Sequence, residues 1–102
     1  MKACCREYLD GQFGGDGSLV AEVYDEYVKS AREKADEAAV ALADGRYADL
    51  DQIAHAAKGN ALAVGDSEAV EAAIALRAAA RDGDRDAAAA LVSRMKDLSA
   101  AL

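Results

Sequence analysis

Apolar residues recur every three or four positions along most of the chain, and the recurrence breaks at four places: FGGDGS (13–18), ADGR (43–46), GDS (65–67) and DGD (82–84). Each break carries glycine and reads as a tight connection, with Ser18 as the expected N-cap of the segment after the first. A short leading segment, 3–12, carries Tyr8 and Leu9. Four longer segments follow. Segment 19–43 places Val20, Val23, Tyr24, Tyr27, Ala31, Ala35, Ala38 and Leu42 on one stripe, and 46–64 does so with Tyr47, Leu50, Ala54, Ala57, Ala61 and Val64. Segment 67–81 offers Val70, Ala73, Ile74 and Ala80, and 85–101 offers Ala88, Leu91, Val92, Met95 and Leu98. Every stripe has the helical period and none alternates as a strand does. Short connections make consecutive helices antiparallel neighbours. The expected fold is all-α and a single domain: residues 1–17 form a short N-terminal helix and a Gly-rich loop, and residues 18–102 an antiparallel up-down four-helix bundle.

Composition sharpens this reading. Alanine fills 27 of 102 positions, proline is absent and aromatics are few, which favours helix and predicts a thin core. The net charge of −7 disfavours nucleic acid and anionic membrane as partners, since both call for a basic face. Its plain role is solubility. Cys4 and Cys5 are adjacent with no third cysteine; the spacing is not that of a zinc site, and neighbouring cysteines seldom bridge. They read as free thiols on a loose terminus in a reducing compartment, a redox role being the other reading. No apolar run is long enough to span a bilayer, and MKACC lacks the apolar stretch of a secretory signal. A soluble cytoplasmic protein is expected. The start at Met1 and the helical end at Leu102 fit a free-standing protein, though a domain cut from a longer chain would look the same.

The chain's one histidine lies in HAAKGNALAVG (55–65). At about 100° per residue, the apolar stripe of its helix centres roughly 130° away, so His55 faces outward. Asp51, Gln52, Lys58, Gly59 and Leu62 share its face. Glycine within a helix costs about 1 kcal/mol relative to alanine, and alanine is this chain's default residue. Gly59 therefore leaves bare backbone beside the imidazole, where another molecule's surface can approach. Lys58 sets three N–H donors and a positive charge next to the ring, which suits a phosphate. A neutral imidazole is a fair nucleophile near pH 7. Leu62 offers an apolar contact. The plain alternative is an ordinary exposed histidine.

The same residues resemble the signature of histidine-containing phosphotransfer (HPt) domains: His55, then Lys58-Gly59, small residues including Ala61, then Val64 and Gly65. ALADGRYADLDQIAHAAKG (41–59) is similar to the family's entry into its phosphorylated helix, LRAAARDGDRDAAAALVSRM (76–95) to its last hairpin, and FGGD (13–16) to the approach to its first long helix. The resemblance spans essentially the whole chain. Two positions depart from it: Ala57 stands where a larger aliphatic is common, which thins the core, and Asn60 stands where Ser or Ala is common, adding a polar group near the site. Some members place a polar side chain from the next helix near the phosphohistidine. The matching positions are Arg77 and Arg81, either solvated or, with Lys58, a local positive patch. Arg77, nearer the apolar stripe, is the one expected to be pinned toward His55.

The resemblance implies a phosphorelay intermediate. His55 accepts a phosphoryl group from a receiver-domain aspartate and passes it to a second receiver, with Lys58 stabilising the phosphoryl oxygens and Gly59, Leu62, Gln52, Asn60, Arg77 and Arg81 at the docking surface. The partners implied are response-regulator receivers and an upstream (hybrid) histidine kinase, and the resemblance implies a monomer. No cofactor is expected on this chain, and the Mg²⁺ belongs to the receiver. FGGDGS lacks the Lys-Ser/Thr of a P-loop, so no ATP site is expected. A metal or acid–base enzyme is disfavoured by the single histidine and by Asp49 and Asp51, which are two apart and do not share a face. A scaffold that binds receivers without carrying phosphate is the alternative function.

Overall fold

The computed structural model describes residues 1–102 and contains five helices: α1 (Ala3–Phe13), α2 (Gly17–Ala43), α3 (Tyr47–Val64), α4 (Ser67–Asp82) and α5 (Arg85–Ala100). Helices α2 to α5 close an up-down bundle, each packing against the next and α5 returning to α2, while α1 lies across α2 and α3. No helix is long and apolar enough to cross a membrane.

Aspartates start three of the helices. The carboxylates of Asp16, Asp66 and Asp84 accept the backbone N–H of Leu19, Ala69 and Ala87 at 3.1, 3.4 and 3.1 Å, each satisfying a donor that has no partner within the helix. The expected cap at Ser18 is thereby corrected: Asp16 holds that position, and Ser18 lies inside α2.

The core has two halves. One gathers Leu50, Leu76, Val92 and Met95 with alanines of α2 to α5. The other gathers Cys5, Leu9, Val20, Tyr24, Tyr27 and Val64 beneath α1. Half of the buried apolar residues are alanine, which is the thin core expected from composition. A cavity of about 30 Å³ remains, with Ala31, Ala57, Ala69 and Leu98 in its wall.

Two other expectations change. Ile74 is 50% exposed, and Leu76 occupies the core position on α4. The buried face there is Ala72, Ala73, Leu76, Ala79 and Ala80, and Ile74 sits about 200° around the helix from Leu76. The N-terminal segment is not loose. Cys5 is fully buried in helix α1 and Cys4 is partly covered. Burial first, then the nearby Asp66, pushes the Cys5 thiol up to about 12, so it sits in the fold as a neutral, apolar group.

Gly65 ends α3 with φ +70°, and a Cβ there would lie 2.6 Å from Tyr8 Cβ and 2.7 Å from Tyr8 Cγ. Gly83 ends α4 with φ +64° and has open space around it. Gly83→Ala should cost only the left-handed backbone term, about 1 kcal/mol. Gly65→Ala should cost roughly twice that, because α1 must also shift. Urea denaturation of the two variants checks this, and equal losses would show that Tyr8 gives way freely.

Candidate functional site

Helix α3 carries the site on the side turned away from the core. Leu50, Ala54, Ala61 and Val64 bury the inner face, which leaves His55 exposed on the outer one, as helix geometry predicted. Gln52 and Gly59 are also exposed, Lys58 is half-buried, and Leu62 is 52% exposed. The leucine and the glycine that share the histidine's face belong to neither half of the core. A Cβ at Gly59 would meet no atom within 4 Å, so nothing inside the molecule requires glycine at that position. Lys58 forms none of the chain's ion pairs, which leaves its ammonium available beside the imidazole.

The arginines of α4 take a definite place. Arg77 donates its Nε–H to Asp51 Oδ1 at 2.9 Å, and Arg81 donates its own to Asp51 Oδ2 at 3.4 Å. Asp51 lies one turn before His55 on the same face of α3. Its carboxylate is held below the ordinary range, first by the Arg77 hydrogen bond and then by Arg81. Arg77 is thus pinned to the histidine's helix, though by an aspartate that the sequence reading did not include in the site. The signal for it was slight: Asp51 shares the His55 face, but its partners lie on another helix.

Asn60 is a correction. Rather than adding a polar group beside His55, it turns to α2 and donates to Ser30 Oγ at 2.8 Å, on the other flank of α3. Gln52 borders an open groove between α2 and α3 whose walls include Val40, Asp49 and Ile53.

One further cluster holds groups able to ligate a metal. Donor atoms of Cys4, Cys5 and Asp66 lie within 4.8 Å of one another. Asp66 is already engaged: it is 1% exposed, accepts from Lys2 Nζ at 2.7 Å and Tyr27 Oη at 2.6 Å, and caps α4. The Cys5 proton is held tightly, as described above. This chemistry is that of a buried hydrogen-bonded tie between α1, α2 and α4, with both thiols free.

A protein-family model described as Hpt domain matches residues 22–102. No curated protein and no solved structure matches the chain.

Proposed function

Because the chain belongs to the Hpt domain family, whose members are histidine-phosphotransfer intermediates, we propose that His55 is the residue that carries the phosphoryl group. Such a domain is a phosphohistidine carrier without kinase activity of its own, and family membership implies interaction with receiver domains and histidine kinases. One observation carries the assignment to His55: the chain's only histidine is exposed on α3 beside an unpaired lysine and a glycine that packing does not need.

The chemistry follows from those groups. The Nε2 lone pair of His55 attacks the phosphorus of a receiver's aspartyl phosphate in line. The P–N bond forms as the acyl P–O bond breaks, and its electron pair returns to the aspartate carboxylate. Transfer to a second receiver reverses the step. Phosphoryl transfer of this kind is governed by positioning and by charge on the equatorial oxygens. Lys58 supplies positive charge there, while the acidic pocket and its Mg²⁺ belong to the receiver. Gly59, Leu62 and Gln52 form the surface on which the receiver rests, and a reducing cytoplasm suits the free thiols.

The test is incubation with a pre-phosphorylated receiver and Mg²⁺, followed by intact mass: one acid-labile phosphate is expected. Substitutions at the contact face separate docking from folding. Gly59→Ala should stabilise the helix by about 0.5–1 kcal/mol, whereas Gly59→Glu should fold normally and weaken receiver binding about tenfold or more through a charged side chain in the interface. Thermal unfolding and receiver titration read the two effects. Unchanged binding by Gly59→Glu would remove Gly59 from the docking surface.

A further inference from the structure

We propose that Asp51 is a positioning residue for the chemistry at His55: its carboxylate stores the Arg77 guanidinium beside the imidazole and yields it to the phosphoryl group, while keeping Arg81. This rests on His55 being the phosphorylated residue.

Three observations lead to it. The first is register. Helices α3 and α4 run antiparallel about the Gly65–Asp66 connection, so Arg77, eleven residues after Asp66, lies level with Ala54, eleven before Gly65, and hence with His55. Arg77 leaves its helix opposite the histidine and reaches one turn along α3 to Asp51.

The second is charge. Two guanidiniums converge on one carboxylate. With Lys58, this face holds surplus positive charge on a chain whose net charge is −7. Each guanidinium has five N–H donors, and a carboxylate has about four acceptor sites, so Asp51 exhausts neither arginine.

The third is the difference between the two arginines. The Arg77 side chain is 22% exposed, and that of Arg81 is 62% exposed with the longer contact to Asp51. Arg77 is the closer and more covered partner of Asp51, and Arg81 the more solvated one. A partly exposed ion pair has a small net strength, and a phosphoryl dianion, with twice the charge of a carboxylate, attracts a guanidinium more strongly at equal distance. Register decides which arginine moves: Arg77 lies level with His55, whereas Arg81 lies a turn farther along, level with Leu50, so the phosphoryl group draws Arg77, and Arg81 remains to neutralise Asp51, which would otherwise repel it.

Phosphoramidate tests this without any receiver. His55 Nε2 attacks its phosphorus, the new P–N bond forms, and the old P–N bond breaks with its electron pair leaving on ammonia, while Nδ1 keeps its proton. The arginine Nε–H resonances of the full chain are followed by NMR during loading. The expected result is that the Arg77 signal shifts as phosphohistidine appears and the Arg81 signal stays. Loading should be about threefold faster in Asp51→Asn and about threefold slower in Arg77→Gln, the change expected for one charge about a turn away under partial screening. Arg77→Lys should restore most of the rate. An unmoved Arg77 signal on a loaded wild-type chain overturns the proposal and leaves the role of His55 intact. Failure of wild type to load removes both. The wild-type spectrum decides even if a variant folds poorly.

Discussion

His55→Gln should abolish phosphate acceptance from a phosphorylated receiver while leaving the helical content and the melting temperature unchanged. Glutamine approximates the size and polarity of the imidazole but has no basic nitrogen lone pair, because its amide nitrogen is delocalised into the carbonyl. The nucleophile is lost outright, and removing a covalent nucleophile costs on the order of 10⁶ in rate where it has been measured, so transfer falls below detection. The fold has nothing to lose at this position. His55 is exposed and takes part in none of the side-chain hydrogen bonds or ion pairs, and glutamine favours helix more than histidine does. The stability change should stay within about 0.5 kcal/mol. Intact mass reads the first effect and circular dichroism the second. A phosphate that persists on the variant would move the carrier role to another residue. A wild type that binds receivers yet never carries phosphate would make the chain a scaffold.

The outward position of His55 was legible because α3 has large residues on its inner face. Tyr47, Leu50 and Val64 set the phase of the helix, and every other side chain on α3 follows from it. Helix α4 was harder. Most of its buried face is alanine, which sits inside or outside at little cost, so the pattern alone places Ile74 in the core where the structure places Leu76. The Asp51 clamp was half legible: its face follows from the i, i+4 relation to His55, but Arg77 and Arg81 reach it from 26 and 30 residues away. Local pattern says nothing about such pairs. The burial of the N-terminal cysteines is hidden from local pattern for the same reason. Nothing within residues 1–12 announces that α1 will be tied down by an aspartate 64 residues from Lys2.

That aspartate is where the largest loss of stability should lie. Asp66→Ala should cost about 3 kcal/mol, equivalent to a fall of roughly 15 °C in Tm for a domain of this size. Three losses combine. The α4 cap to Ala69 disappears, at about 1 kcal/mol. The Tyr27 hydroxyl, which donates to Asp66 at 2.6 Å, is left buried without a partner. The Lys2 ammonium loses its closest counter-ion and keeps only the more exposed Glu68, although it is 21% exposed and can turn toward water. Asp66→Asn retains the cap and an acceptor for Tyr27, so it should lose about half as much. The same network sets an alkaline limit. Burial, and then Asp66, raises both the Cys5 thiol and the Tyr27 phenol above their ordinary ranges. A group whose pKa is higher in the folded state stabilises it fully below the unfolded pKa and loses that contribution as pH rises. Wild type should therefore weaken from about pH 9 upward, as first the thiol and then the phenol ionises in the unfolded chain, and Asp66→Ala should show a shallower decline. Chemical denaturation at pH 7 and pH 10 measures both slopes. Asp66 also lies eleven residues along the hairpin from His55, about 16 Å at the rise of an α-helix. Below its lowered Tm, Asp66→Ala should accept phosphate at the wild-type rate. Loss of transfer by a folded Asp66→Ala would mean that α1 and the phosphorylation face are coupled, which would make the tie between α1 and α4 part of the relay rather than only part of the fold.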